Sequence, residues 1–455
     1  MSTNLAIAEL SPTARGGGVR EVAWLASPVL VQMLSETLMQ VFSSAMVGRL
    51  GPADLGAVGL GGIWLWTLTC PFVGAATGVS VFVSRAHGAG RPRECGPWVW
   101  QGLGALIPVA VVWTFAVAAL FPLLLAAVDP SPELAERAHA YVSGRIPGLP
   151  AVAAGAAVTS FFRGLGNTRV PMIATIATVL LQATLAYGLT FGQLGLPAYG
   201  VLGTGIAFAI AEYTYTAILF GVLLVRETRE QYASAPRRPD LRQVTRYLRT
   251  SAPIGGQWLL DMLSFALFSS IVARMGDAEM AASQAMIQLL SLSFMQAVAI
   301  SVSAGTLVGR YLGAGDPAAS ARSYASAMKL AMVVAGLVAA LFLGAPELLM
   351  RLFTSDAQVL VLARPLLRLG ALFQVIDAIG IVAGGSLRGG GDTRWPFLVH
   401  ATLAWAARLP LVWLLAVHLE GGVLGAWLGE LGYIALLGLA FTLRFRAGKW
   451  RTMQP

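Results

Sequence analysis

Phe162-Arg-Gly-Leu-Gly-Asn-Thr-Arg-Val-Pro171 returns 225 residues later as Leu387-Arg-Gly-Gly-Gly-Asp-Thr-Arg-Trp-Pro396. The same offset relates Val83-Ser-Arg-Ala-His-Gly-Ala-Gly90 to Val308-Gly-Arg-Tyr-Leu-Gly-Ala-Gly315. It also pairs Pro28 with Pro253, Glu36 with Asp261, Arg49 with Arg274 and Gly51 with Gly276. A final pair, Gly200-Val-Leu-Gly203 and Gly422-Val-Leu-Gly425, has slipped to 222. One register held over so long a stretch marks an internal duplication. Within the repeated corner the glycines end one helix, Asn167 or Asp392 is placed to cap the next, and Pro171 or Pro396 suits its first turn. A tight helical corner of this kind reads as structural or gating.

The solvent of the duplicated units follows from composition. Of 455 residues, 56% are hydrophobic and 12% charged, against about 25% charged in a soluble domain. Apolar runs fall at 22–47, 55–84, 98–127, 138–162, 170–192, 199–225, 250–273, 280–308, 323–345, 358–387, 395–418 and 422–443. Each is long enough to cross a bilayer, which takes about 20 apolar residues. Each must be helical, because hydrocarbon cannot satisfy an open backbone. The fourth run is the weakest, interrupted by Arg145, Pro147 and Pro150. The expectation is an all-α membrane protein of twelve transmembrane helices in two pseudo-symmetric six-helix lobes. Residues 1–225 form the N-lobe with helices one to six, 226–249 a cytoplasmic linker, and 250–455 the C-lobe with helices seven to twelve.

A net charge of +9 would point to nucleic acid in a soluble protein. Here the basic residues lie between apolar runs. With the N-terminus inside, 22 Lys and Arg, Arg15 among them, fall on the cytoplasmic side and 7 on the other. That bias sets both termini in the cytoplasm. The outer loops hold acid-rich turns such as Asp129-Pro-Ser-Pro-Glu133. The N-terminal segment shows no cleavable signal pattern, so the first run is read as a retained helix. The linker's seven Arg read as a solvated connection, with lipid headgroups as the alternative contact. Two cysteines, Cys70 and Cys95, are too few for a disulfide framework.

Six helices per copy give both copies the same orientation and a pseudo-two-fold axis along the membrane normal. Parallel repeats of that kind are a transporter architecture with the substrate between the halves. There is no zinc spacing, Walker loop or nucleophile elbow, so the chain reads as a non-enzyme without a cofactor, and its energy source as an ion gradient.

Met46-Val-Gly-Arg-Leu-Gly51, the two Arg-Gly-x-Gly corners and Phe373-Gln-Val-Ile-Asp-Ala378 together resemble the multidrug and toxic compound extrusion (MATE) family. The resemblance covers nearly the whole chain. It implies two lobes around a V-shaped cavity, and export of organic cations or drugs driven by entry of protons or sodium ions. The expected setting is a bacterial-type cytoplasmic membrane, with contact to membrane lipids, no nucleic acid partner and a monomer.

A charge at mid-helix costs about 2.5–3.5 kcal/mol on insertion scales, so intramembrane acids are functional candidates. Asp261, eight residues after Pro253 in the seventh helix, and Asp377 in the tenth match acids of the family. With Glu36, the N-lobe twin of Asp261, they are the expected ion-coupling or cation-binding residues. If the two aspartates share one cavity, they can exchange a proton for a cationic substrate. A sodium ion at Asp261 and Asp377 is the other possibility. Phe265, one turn beyond Asp261, can face a cation with its ring or simply pack. Ser43, Gln257, Gln284, Gln288, Arg408 and Glu212 complete the expected cavity. Arg408 is expected to pair with an acid, Asp377 being the first guess, and Glu430 and His400 stand between function and structure.

The chain departs from the family pattern in the N-lobe. Ser43 stands where bacterial members usually carry an Asp late in the first helix. Gln182 and Ala186 stand for an Asn and an Asp in the fifth. A hard cation wants several oxygen ligands, so Ser43 and Gln182 make a poor cage unless Glu36 joins, two turns away. Two other readings compete with cation export. A flippase for a lipid-linked or polyanionic substrate would need a basic cavity, and a non-transporting sensor would favour a long extramembrane domain.

Overall fold

A computed structural model describes residues 16–128, 130–351 and 357–453; Arg15 and Asp129 lie outside them. The described residues form helices in the order α1 Val19–Val47, α2 Pro52–Ala76, α3 Gly78–Gly88, α4 Cys95–Val128, α5 Pro132–Arg145, α6 Leu149–Gly164, α7 Arg169–Phe191, α8 Val201–Leu224 and α9 Arg226–Tyr232. There follow α10 Leu241–Ala273, α11 Asp277–Gly313, α12 Pro317–Gly344, α13 Pro346–Arg351, α14 Ala357–Gly389, α15 Arg394–Leu403, α16 Leu409–Trp413 and α17 Gly422–Arg446. No strand occurs among the described residues. Among the described residues, eleven helical stretches are long and apolar enough to cross a membrane. This is an all-α integral membrane protein.

The exception is the fourth apolar run, which is not one continuous helix. It is α5 and α6, joined by a 3-10 turn at Ile146–Gly148. Pro147 and Pro150 remove two backbone donors within this short stretch, and a helix interior does not tolerate that. The eleventh run is continuous but widened. It contains π turns at Ala404–Arg408 and Leu414–His418 on either side of α16. Pro410 lies just after the first, and π turns often accompany functional sites.

The chain divides into two compact units. One contains Pro28–His87 and Arg91–Leu259. Its core gathers Phe82, Phe161, Phe162, Tyr232 and Tyr247. The other contains the residues up to Ser27, Gly88–Gly90 and Leu260–Pro455. Its largest core cluster surrounds Phe268, Met286 and Trp427. They are called the N-unit and the C-unit below.

The linker is more ordered than a solvated tether. Its arginines are exposed, but Tyr232 is buried. Trp100 Nε1 donates to the Ser234 carbonyl (3.0 Å), Ser234 Oγ to the Leu223 carbonyl (2.6 Å), and the Asp240 amide to Gln101 Oε1 (2.9 Å). The seventh run starts at Leu241, inside the stretch read as linker.

Backbone torsions carry the duplication. The paired glycines Gly166 and Gly391 have φ of 81° and 86°, Gly90 and Gly315 have 69° and 75°, and Gly200 and Gly422 have 57° and 56°. Only glycine adopts such angles without strain. The capping expectation fails, however. Thr168 and Thr393 occupy the N-cap positions, without a side-chain cap bond. Asp392 instead accepts a hydrogen bond from Arg444 Nε at 2.7 Å. An available guanidinium is a stronger partner for a carboxylate than a neutral amide.

In the C-unit, α11 and α14 meet through small residues. A Cβ on Gly389 would lie inside the backbone of Gly305. Ser301 Oγ donates to the Ile381 carbonyl at 2.7 Å. Small residues let membrane helices approach closely. Gly389→Ala should therefore destabilise the protein by about 1–3 kcal/mol, seen as a lower unfolding temperature in detergent. Gly336→Ala, with nothing near its Cβ, should leave that temperature unchanged or slightly raised.

Candidate functional site

The C-unit assembles its ionisable residues around one guanidinium. Arg408 ends the π turn of the eleventh run and is 3% exposed. Its Nε and Nη2 donate to the two carboxylate oxygens of Glu430 on α17, at 2.6 and 2.5 Å. Glu430 is equally buried. Paired, parallel bonds of this kind are the strongest that Arg makes. Nη1 donates to Ser264 Oγ at 2.6 Å and approaches Oδ1 of Asp261 at 3.3 Å. The guanidinium carbon lies 5.4 Å from the ring centre of Phe265 and 5.0 Å from that of Tyr433.

Asp261 sits on α10, and its side chain is 38% exposed. Its second partner is His400, whose Nε2 lies 3.3 Å from Oδ1. The same nitrogen lies 3.2 Å from the Tyr433 hydroxyl. Asp377, on α14, is half-buried. Its charged neighbours are Asp261, Glu430 and Arg408, yet it forms no hydrogen bond or ion pair with a described residue. Gln374, almost one turn earlier, is fastened to Ser293 Oγ and to the Ala335 carbonyl.

Arg408 thus pairs with an acid as expected, but with Glu430 and Asp261 rather than Asp377. Glu430 approaches from the twelfth apolar run and takes the Nε–Nη2 edge of the guanidinium, leaving Nη1 to Ser264 and Asp261. Phe265 is half-buried against the core and stacked on Phe268, with ring centres 5.6 Å apart, and the cation near its ring is internal, that of Arg408. Gln284 and Gln288 are exposed on α11.

The N-unit builds a different set. Gln32, one turn before Glu36 on α1, is 5% exposed. Its amide nitrogen donates to Glu36 at 3.1 Å and to the Tyr215 hydroxyl at 3.3 Å. Its amide oxygen accepts from Arg163 Nη2 at 2.9 Å. Tyr215 lies 2.7 Å from the Thr159 hydroxyl. Glu36 itself is exposed on its helix. Glu212 is half-buried, with Arg145 and Glu36 as its charged neighbours. Gln257 is buried.

Ser43 is 1% exposed, and its hydroxyl has no hydrogen-bond partner among the described residues; Gln182 Nε2 is likewise buried without one among them. The bonded contact of Glu36 runs back along the helix to Gln32. No hydrogen bond joins Glu36 to Ser43 among the described residues. Among the described residues no group of three or more His, Cys, Asp or Glu is arranged to hold a metal ion.

Sequence reasoning missed Gln32, Arg163, Tyr215, Ser264 and Tyr433 as site residues. Gln32 was within reach of it, four residues from Glu36 on one helical face. Arg163 was read only as a cytoplasmic corner residue, and its side chain reaches the first helix.

The family model called MatE matches residues 28–188 and 253–414, so the two matches begin at the paired prolines Pro28 and Pro253. The chain belongs to the MatE family. It is 29% identical over 438 residues to "Probable multidrug resistance protein NorM" of Thermotoga maritima, covering 95% of this chain and 93% of that protein. It is 29% identical over 431 residues to "Multidrug resistance protein NorM" of Burkholderia vietnamiensis, with 93% of each chain covered. Among solved structures, one described as an outward-facing multidrug resistance MATE family transporter of the MOP superfamily superposes with a TM-score of 0.88. It has 18% identity and covers 96% of this chain and 98% of its own. The eukaryotic MATE transporter AtDTX14 superposes with a TM-score of 0.83 at 20% identity, covering 95% of this chain and 96% of its own.

In this MatE family member the Arg408–Glu430 pair makes a direct prediction. Arg408→Met strands a buried carboxylate and should cost about 3–5 kcal/mol, whereas Arg408→Met with Glu430→Met should recover most of the loss. Thermal unfolding of the purified variants in detergent measures both.

Proposed function

We propose that this protein is an ion-coupled antiporter. It exports organic cations or drugs across a bacterial-type cytoplasmic membrane by alternating access between two lobes. The single observation that carries the reading is Asp377. It is a carboxylate at mid-span, without a hydrogen-bond or ion-pair partner among the described residues and beside Asp261, Arg408 and Glu430. A membrane helix does not hold such a group without use. Relatives named as multidrug resistance proteins along almost the full chain support drug or organic-cation cargo.

In this reading Asp377 and Asp261 take turns with proton and cargo, Glu36 serves the N-lobe, and the protein works as a monomer in contact with lipid, both termini in the cytoplasm. The coupling ion is the proton. Asp261 already has a guanidinium and an imidazole against it, and a sodium ion would have to displace them to gather its oxygen ligands. His400, between Asp261 and the Tyr433 hydroxyl, is placed to pass a proton.

Asp377→Asn should abolish resistance to cationic drugs in an efflux-deficient bacterial host while the protein still reaches the membrane in normal amount. Resistance at the unsubstituted level, with equal membrane content, would refute a coupling role for this carboxylate.

A further inference from the structure

The nest around Arg408 has the chemistry of a receptor for an organic cation, and a side chain of the protein already fills it. Two aromatic rings, Phe265 and Tyr433, lie within cation–π distance of the guanidinium, and two carboxylates and a hydroxyl bond to it. Arg remains charged in any protein environment, so this occupant cannot vacate the nest by losing its proton.

The contacts are unequal. Toward Glu430 there are two short bonds between groups each 3% exposed. Toward the Asp261 carboxylate there is a single contact of 3.3 Å, made by an Nη1 that bonds more closely to Ser264 and also reaches the Asp261 carbonyl at 3.5 Å, and the Asp261 side chain is 38% exposed. Glu430 is therefore the fixed seat and Asp261 the releasable one. The duplication isolates the device to one copy. At an offset of 225 the twin of Arg408 is Ala183, and at the offset of 222 that relates the last helices the twin of Glu430 is Phe208. Glu36, the twin of Asp261, meets a neutral Gln32 instead.

We propose that Arg408 is a tethered competitor for the cargo seat at Asp261, held in reserve by Glu430 whenever a cationic substrate occupies that seat. The inference rests on the export reading and deepens it. A resident cation lowers the affinity of Asp261 for a cationic cargo and speeds its release, so Arg408 is a positioning residue that sets affinity without leaving the site. Because Glu430 and Asp261 draw the same guanidinium in different directions, removing Glu430 should fasten Arg408 to Asp261. Removing both Arg408 and Glu430 should free Asp261 while keeping the local charge balance.

The test is equilibrium binding of tetraphenylphosphonium to the purified full-length protein. Glu430→Gln should weaken binding, and Arg408→Gln with Glu430→Gln should tighten it, each by about tenfold, within the usual range of site-to-site coupling. Opposite signs are the signature, since a purely structural role would shift both variants the same way or neither. Binding unchanged in both variants, or shifted alike, would overturn the proposal. If the double variant fails to fold, unchanged or tighter binding in Glu430→Gln alone also overturns it. Asp261→Asn separates the two claims. Unaltered binding in that variant removes Asp261 as a cargo seat. Weakened binding there, without opposite shifts in the other two, defeats only the tethered-competitor role.

Discussion

Arg408 carries a permanent charge into the interior of a membrane helix, and much of the C-unit is arranged to make that tolerable. A buried ion must be paired and hydrogen-bonded, or its desolvation dominates. Glu430 from α17, Asp261 and Ser264 from α10, and two aromatic rings supply the pairing. The backbone around Arg408 is a π turn ahead of Pro410, not a regular helix. The site and the local irregularity of its helix coincide in one place. Asp377, beside this saturated cluster, gains its character by contrast, as an acid that bonds to none of the described residues.

The duplication explains what the two copies share and what they do not. Shared features are those of the backbone. Paired glycines have nearly equal left-handed torsions, and Pro28 and Pro253 interrupt the hydrogen bonding of twin helices. Side-chain chemistry has diverged. Glu36 sits in a chain of neutral and cationic hydrogen-bond partners through Gln32, Tyr215 and Arg163, whereas Asp261 contacts a guanidinium and an imidazole directly. One frame thus holds two different polar interiors.

Much of this was legible in the residues. The 225-residue register, the apolar run lengths and the glycine corners were enough for an all-helical membrane fold, and acids inside those runs were enough to mark Asp261, Asp377 and Glu36 as candidates. What was hidden depends on contacts between distant spans. Arg408 and Glu430 are 22 residues apart on neighbouring helices, and no spacing rule ties them together. Gln32 and Tyr215 are 183 apart. Asp392 reads as a cap until Arg444 is seen beside it. The fourth run, dense in proline, announced its weakness, but only the structure shows it as two helices and a turn. The linker's charges were legible, and the hydrogen bonds that tie it to α4 and α8 were not.

The central claim is that a carboxylate site already furnished with its own cation is driven by protons. Its most direct measurement is efflux of a cationic dye from proteoliposomes containing the purified protein, with pH and sodium gradients imposed separately. The account predicts that a pH gradient alone drives efflux and a sodium gradient alone does not. Sodium-driven efflux that persists with the pH gradient collapsed would contradict it.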